Sequence, residues 1–215
     1  MRLDSYLVEI GNFSSRSRAK RAITEGFVKV NGKVIIRPSY DIEYSDNVVI
    51  TEGLDKPAGY WKLKEIHEKT GLFKAGDSVL DIGSSAGGFL LFAREIASHV
   101  HGIEFSREFR SELGRIAHEH PGITVESGDI FAMTFDKEKF DVVLMDITAS
   151  PLSSIKALLN VLPALKKDGT LLLVLKLPKK RETEPILTKL MSLGLEIINV
   201  LESEKEEAYI IARKS

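Results

Sequence analysis

The sequence of 215 residues contains no cysteine. This absence excludes disulfide bonds, a catalytic thiol, and zinc or iron–sulfur sites with cysteine ligands. Long hydrophobic runs are also missing, since the longest, Thr170 to Leu175, is far too short to span a bilayer. The start, Met1-Arg2-Leu3-Asp4, lacks the basic and then apolar pattern of a secretion signal. We therefore expect a cytoplasmic protein with no membrane partner.

A metal site is also not expected. Four of the histidines lack the spacing and flanking acids of a metal site: His99, His101, His118 and His120. The hydrophobic fraction of 43% is ordinary for a folded protein, and the length allows one full α/β domain plus a small appendage. We expect a monomer or a weak homodimer.

The net charge of -1 conceals an asymmetry along the chain. Residues 1–40 contain eight basic and three acidic side chains, which is a net charge of +5 and leaves -6 for the rest. A concentration of positive charge in one segment is typical of a surface that binds a polyanion.

The basic segment has the pattern of a small α+β module. Apolar residues at helical spacing predict a helix from Leu3 to Ile10, and Ser14 or Ser15 is placed to cap a second helix that reaches Glu25. Asn31-Gly32 then joins two short strands, because this pair tolerates the positive φ angles of a tight hairpin turn.

This segment resembles the S4 RNA-binding module. The residues that carry the resemblance are Arg2-Leu3-Asp4, Ser15-Arg16-Ser17-Arg18-Ala19 and Gly26-Phe27-Val28-Lys29-Val30-Asn31-Gly32. The resemblance implies that RNA, and ribosomal RNA or ribosomal subunits in particular, is the partner. The residues expected to contact it are Arg2, Arg16, Arg18, Lys20, Arg21, Lys29 and Lys33.

We predict an S4-like domain over residues 1–52, a linker over 53–59 that contains Pro57, and a catalytic domain over 60–215. In the catalytic domain, apolar runs alternate with helical stretches, which predicts a mostly parallel sheet with helices on both faces. The last two runs, Leu195 to Leu201 and Ala208 to Ala212, have no helix between them and should form an antiparallel pair.

The first strand of this domain ends in a glycine-rich loop, Asp81-Ile82-Gly83-Ser84-Ser85-Ala86-Gly87-Gly88-Phe89. Its Asp-x-Gly-x-x-x-Gly spacing differs from the Gly-x-Gly-x-x-Gly of dinucleotide-binding enzymes and resembles the first motif of Rossmann-like methyltransferases, which implies S-adenosylmethionine as cofactor. Two acids follow later strands, where they could accept the ribose hydroxyls and the adenine amino group. The predicted cofactor-binding residues are Asp81, Gly83, Ser84, Ser85, Gly87, Gly88, Phe89, Glu104, Asp129 and Asp146.

Four charged residues should meet at one edge of the sheet. Asp146 and Lys176 each close an apolar strand, Glu207 opens the last strand, and Lys62 lies on the helix before the first strand. This set resembles the Lys-Asp-Lys-Glu tetrad of the FtsJ-like ribose 2′-O-methyltransferases, and the fusion with an S4 module resembles the TlyA-type ribosomal RNA methyltransferases. Lys64 is an alternative to Lys62 as the first lysine.

The resemblance implies transfer of a methyl group to a ribose 2′-hydroxyl of ribosomal RNA, with Lys176 as the base. One alternative is an RNA base methyltransferase, although the loop after Asp146 lacks the Asn-Pro-Pro-Tyr or Asp-Pro-Pro-Tyr pattern of such enzymes. The other is a non-catalytic RNA-binding or ribosome-assembly protein that retains the fold. The basic run Lys179-Lys180-Arg181 either contacts the RNA backbone or is solvated.

Overall fold

The structure, a computed structural model, describes residues 1–50, 56–176, 183–202 and 207–215. By its internal contacts the chain divides into two compact units, Met1–Pro57 and Ala58–Ser215. Residues 53–55 of the predicted linker and the basic run at 179–181 lie outside the described residues.

Two helices and three short strands form the first unit. They are α1 (Leu3–Glu9), α2 (Arg16–Thr24), β1 (Val28–Val30), β2 (Lys33–Val34) and β3 (Val48–Ile50). As predicted, a serine caps α2, since the Ser15 hydroxyl accepts a hydrogen bond from the Arg18 amide. β1 lies between β2 and β3 and is antiparallel to both. β3 was not predicted, because three residues are too few to show a strand periodicity.

The alternation of side chains along β1 divides the small sheet into two faces. Val28 and Val30 are buried in a core with apolar residues of both helices, whereas Lys29 between them is exposed on the other face. The turn from β1 to β2 uses positive φ at Asn31 (50°) and Gly32 (79°), as the sequence predicts.

A seven-stranded sheet forms the second unit. Its strands are β4 (Ser78–Ile82), β5 (His99–Glu104), β6 (Ile123–Ser127), β7 (Phe140–Met145), β8 (Leu165–Lys176), β9 (Leu195–Glu202) and β10 (Glu207–Lys214). The strand order is β6-β5-β4-β7-β8-β10-β9, and β10 runs antiparallel to both neighbours. The predicted fold class, a mostly parallel sheet with an antiparallel last strand, is therefore confirmed.

Helices cover both faces of this sheet. They are α3 (Ala58–Thr70), α4 (Gly88–Arg94), α5 (Arg110–Glu119), α6 (Pro151–Val161) and α7 (Thr183–Ser192). Apolar residues of α3, α4 and α5 share one core with one side of the strands, and those of α6 and α7 share a second core with the other side. We call the two sides the α3 face and the α6 face.

β8 is longer than its apolar run indicates. It begins at Leu165, which pairs with Phe140, whereas the apolar run from which the strand was predicted begins only at Thr170. The early part is irregular, because the register with β7 shifts between Phe140 and Val142 and Asp168 adopts a φ of 59°. Residues 166–169 are charged or glycine, so no apolar run marks this early part of the strand.

Candidate active site

Strand alternation places three of the four predicted tetrad residues on the same face of the sheet. Leu144, Val174 and Tyr209 all belong to the α3 face. Asp146 comes two positions after Leu144, and Lys176 comes two positions after Val174, so the alternation of side chains brings both to that face at the edge where the parallel strands end. Glu207 comes two positions before Tyr209 in the antiparallel β10 and reaches the same edge. β8 and β10 also pair Lys176 directly with Glu207. The topology therefore brings these three residues to one edge and one face.

Helix α3 supplies the fourth residue. Tyr60, Leu63 and Ile66 bury one side of this helix against the sheet, and Lys62 projects from the flank of that side. Its Nζ lies 2.8 Å from Asp146 Oδ2 and 2.9 Å from Glu207 Oε2. One ammonium group thus links two carboxylates, one directly after β7 and one at the start of β10.

The surroundings of Lys62 keep it positively charged. Its side chain is only 20% exposed, and this burial alone would lower its pKa. Asp146 and Glu207 act in the opposite direction and outweigh burial, so that the pKa of Lys62 is raised above its usual value. The rings of Tyr209 and Phe89 lie 5.3 and 6.0 Å from Nζ and add cation–π attraction.

Lys64, the alternative to Lys62, lies in a different environment. Its Nζ is 3.9 Å from Glu68 Oε1, one helical turn farther along α3, and 5.5 Å from the centre of the Trp61 ring. It contacts neither Asp146 nor Glu207 in the ion pairs of the described residues.

Lys176 joins the group through its backbone. Lys176 is the register partner of Glu207 in the sheet, but its side chain is exposed, and it forms no ion pair with the described part of the chain. The structure thus brings Lys62, Asp146 and Glu207 into contact and puts Lys176 beside them. Its role as base remains a hypothesis.

A cavity of about 510 Å³ opens at the same edge of the sheet. Four carboxylates line it, from Glu104, Glu108, Asp129 and Asp146, and no lysine or arginine does so among the described residues. Asp146 belongs both to this cavity and to the contact with Lys62. A pocket with this charge favours a cation, and its volume suits a ligand of nucleotide size.

Glu104 is fixed by the backbone around it. One of its carboxylate oxygens accepts a hydrogen bond from the Ser85 amide at 2.8 Å, and the other accepts from the Ser106 amide at 2.6 Å. Each oxygen keeps a lone pair for a ligand hydroxyl. Asp129 accepts from the Phe131 amide at 3.0 Å in the same way, so both acids are oriented before any ligand arrives.

Two aromatic side chains at the cavity were missed by the sequence analysis. Phe105 is 74% exposed and Phe131 is 54% exposed, and both line the cavity. Large apolar rings at a pocket mouth are suited to cover a flat heterocycle such as adenine. Each ring follows a strand-end acid within two residues, Glu104 and Asp129, and that pattern could have identified them.

The glycines of the loop Asp81–Phe89 have a structural function that the sequence did not distinguish from ligand binding. A Cβ on Gly83 would lie 2.6 Å from the Asp146 carbonyl oxygen, and one on Gly88 would lie 2.5 Å from the Tyr60 amide nitrogen. These glycines therefore let β4 approach β7 and let α4 approach α3. Because α3 carries Lys62, the loop also determines where that lysine lies.

The predicted cofactor-binding residues divide into two groups. Those that line the cavity are Gly83, Ser85, Glu104, Asp129 and Asp146. Those outside its lining are Asp81, Ser84, Gly87, Gly88 and Phe89.

Asp81 has an unusual environment even though it does not line the cavity. It is fully buried, and neither carboxylate oxygen has a hydrogen-bond partner. Burial raises the pKa of this carboxyl to about 7, and the nearby Asp146 and Glu104 increase the shift. Buried polar atoms without partners are rare in folded proteins, and here they belong to the first residue of the glycine-rich loop. This buried acid adds to the negative charge of the four carboxylates that line the cavity, and residues of this charge fit a cofactor with ammonium and sulfonium groups.

The predicted RNA-binding residues of the first unit come from α2, from the residue before α1 and from the small sheet. Four of them lie on α2: Arg16, Arg18, Lys20 and Arg21. Arg2 and Arg16 both form an ion pair with Asp4. Arg18 donates to the Ser14 hydroxyl at 2.6 Å, and Arg21 pairs with Glu25 at 2.8 Å. Lys33 is exposed at the start of β2, but Lys29 lies on the sheet face opposite the helices.

Comparison with known proteins agrees with these features. The model of the FtsJ-like methyltransferase family matches residues 58–215, and the model of the S4 domain matches residues 1–48. The second unit has the fold of a methyltransferase that uses S-adenosylmethionine. The chain belongs to the FtsJ-like methyltransferase family and carries an N-terminal S4 domain, and this confirms both resemblances drawn from the sequence.

Individual relatives support the assignment. Hemolysin A of Brachyspira hyodysenteriae is 26% identical over 171 residues, which are 78% of this chain and 69% of that protein. Ribosomal RNA large subunit methyltransferase E of Syntrophobacter fumaroxidans is 32% identical over 100 residues, 42% of this chain and 47% of that protein. A S-adenosylmethionine-dependent methyltransferase from Aquifex aeolicus superimposes with a TM-score of 0.59 and 18% identity, covering 71% of this chain and 89% of that one. Together with the family match, these similarities define the second unit as an FtsJ-like methyltransferase.

In the described part of the chain, no helix combines the length and the apolar character that a membrane span requires. The same residues contain no group of three or more histidine, aspartate or glutamate side chains arranged to hold a metal ion.

Proposed function

We propose that the protein methylates a ribose 2′-hydroxyl of ribosomal RNA, with S-adenosylmethionine as the methyl donor. The observation that carries this proposal is the contact of Lys62 with Asp146 and Glu207 beside an acidic cavity. The S4 domain supplies the RNA-binding part, and the match to a large-subunit methyltransferase favours ribosomal RNA. Such a substrate implies that the protein acts in the cytoplasm, where ribosomes are found.

The residues of the cavity suit the cofactor. Glu104 would bind the ribose hydroxyls, Phe105 and Phe131 would cover the adenine, and Asp129 would accept the adenine amino group. When bound, the cofactor supplies a methyl group activated on a sulfonium. Asp146 lies between the cavity and Lys62, so the acceptor hydroxyl would lie next to this pair.

Two lysines would then have different functions. Lys62 keeps its proton because two carboxylates raise its pKa, so it would orient the 2′-oxygen and stabilise negative charge that develops on it. Lys176, which has no ion pair among the described residues, would act in its deprotonated form, since only a neutral amine can take the hydroxyl proton. A positioned base increases the rate of the reaction by about 10² to 10⁴-fold. The proton that the 2′-hydroxyl loses on methyl transfer would pass to the Lys176 amine.

The proposal is tested by product analysis. The full chain is incubated with S-adenosylmethionine and bacterial ribosomal subunits or naked ribosomal RNA, and the RNA is digested to nucleosides for mass spectrometry. A 2′-O-methylnucleoside is the expected product, and resistance of the neighbouring phosphodiester to alkali confirms the position. A base-methylated nucleoside would contradict the proposal, and so would RNA binding without any methylation, which indicates an assembly factor.

The Lys176→Ala variant should lower methyl transfer by about 10² or more and leave the affinities for cofactor and RNA nearly unchanged. Its matched control is Lys167→Ala, which removes an exposed lysine near the opposite end of β8. If Lys176→Ala retains full turnover, another group removes the proton.

A further inference from the structure

Asp4 is a buried acid within the most basic part of the chain. Its side chain is 0% exposed, whereas those of Arg2 and Arg16, which contact it, are 46% and 53% exposed. Arg2 donates to both oxygens of Asp4, from Nε at 2.9 Å and from Nη2 at 3.0 Å. Arg16 donates to one of the same oxygens from Nη2 at 3.1 Å. Arg2, which precedes α1, and Arg16, the first residue of α2, therefore share a single carboxylate.

The backbone fixes the positions from which both arginines reach Asp4. Arg2 forms an isolated bridge with Asp41, and the next amide, that of Leu3, donates to the Tyr40 carbonyl at 2.8 Å. Arg16 is the first residue of α2, directly behind the Ser15 cap. Each arginine side chain is therefore fixed at its backbone and, through Asp4, at its guanidinium group, which leaves it little conformational freedom.

Each guanidinium still has donors to offer. A guanidinium carries five N–H groups, of which Arg2 uses two and Arg16 uses one on Asp4. Arg2 therefore keeps its Nη1/Nη2 edge, which matches two oxygens of a phosphate. Hydrogen bonds from Arg2 and Arg16 outweigh burial and lower the pKa of Asp4 to about 2, so Asp4 remains charged under all ordinary conditions. The three groups together carry one net positive charge.

We propose that Asp4 is a positioning residue that presents Arg2 and Arg16 as a single binding site for one phosphate group of the RNA backbone. This inference rests on the proposed RNA binding and adds to it a specific contact and the residue that creates it. Asp4 itself does not touch the RNA.

A positioning role and a purely electrostatic role of Asp4 predict opposite changes in RNA affinity when Asp4 is replaced by a neutral residue. If only total charge mattered, replacing Asp4 by a neutral residue would raise the positive charge and strengthen RNA binding. If Asp4 positions the two arginines, the same change weakens binding because their side chains lose a common anchor.

The experiment compares single variants of the full chain in binding to a fluorescein-labelled RNA stem-loop at several salt concentrations. Asp4→Asn should weaken binding roughly tenfold, as expected for loss of a charge-assisted contact, and should flatten the dependence of affinity on salt. The matched control is Glu43→Gln, which removes one negative charge from an exposed residue of the same unit. It should bind as tightly as the parent protein or more tightly.

A double-mutant cycle separates positioning from a general structural effect. If Asp4 acts through Arg16, the Asp4→Asn/Arg16→Ala double variant should bind only as weakly as the weaker single variant. Full additivity of the two losses would overturn the positioning role. If Asp4→Asn does not fold by circular dichroism, Arg16→Lys decides, since it keeps the charge and loses the planar fork. A several-fold loss supports the inference, and unchanged affinity overturns it.

Failure of the inference and failure of the proposed function give different results. If the parent protein does not bind the RNA, or if Arg16→Ala binds as well as the parent, RNA binding through this surface is wrong and the inference fails with it. If Arg16→Ala weakens binding while Asp4→Asn behaves like Glu43→Gln, only the role of Asp4 is overturned.

Discussion

The buried carboxyl of Asp81 allows a quantitative prediction for the protein without cofactor. Its pKa rises from 3.8 in the unfolded chain to about 7 in the folded one, a difference of roughly three units. At about 1.4 kcal/mol per unit, this corresponds to an upper limit of about 4 kcal/mol in the free energy of unfolding. Between these two pH values the folded state binds more protons at Asp81 than the unfolded state, so the contribution of Asp81 to stability is greatest below pH 4 and falls as pH rises towards 7.

The variant Asp81→Asn removes this titration. We expect it to be more stable than the parent protein at pH 8, by up to about 4 kcal/mol, and nearly equal to it at pH 4. Urea unfolding at a series of pH values measures the difference, followed by the fluorescence of Trp61, which lies in the same unit and is the single tryptophan of the chain. All other titrations are shared and cancel in the comparison.

A control and a refuting result complete the test. Asp136→Asn makes the same chemical change on a side chain that is 82% exposed, and it should shift stability by less than about 0.5 kcal/mol. A difference between Asp81→Asn and the parent that stays constant from pH 4 to 8 would refute the reasoning, because Asp81 would then not change its protonation on folding.

Two other predictions concern how the active site is assembled. Lys62→Ala should abolish most methyl transfer, measured by incorporation of labelled methyl groups into RNA. Lys64→Ala should retain this activity, because Lys64 pairs with Glu68 instead. The reverse result would show that Lys64 is the first tetrad lysine. Gly88→Ala should destabilise the second unit by about 1 to 3 kcal/mol, because its methyl group would strike the α3 backbone. Gly114→Ala, on α5 with open space around it, should instead stabilise the protein by up to about 1 kcal/mol in urea unfolding. If Gly114→Ala lowered the free energy of unfolding as much as Gly88→Ala, the contact argument would be contradicted.

The sequence alone determined the parts that depend on local pattern. Apolar runs at regular spacing located the strands of the large sheet, and the Asn31-Gly32 turn and the Ser15 cap located elements of the small domain. The charges at strand ends also indicated a common edge, because parallel strands all present their carboxyl ends to the same side. The family resemblance contributed the roles of these residues, which their spacing does not contain.

The tertiary structure decided everything that depends on distance between separate elements. Only the packing of α3 on the sheet brings Lys62 rather than Lys64 to Asp146 and Glu207, since both lysines fit the helical pattern equally well. Likewise, Asp4 counts as a negative charge in the sequence, but in the fold it anchors two arginines. Local pattern reflects interactions between neighbours along the chain, whereas these contacts depend on backbone positions that are set by burial of the whole core.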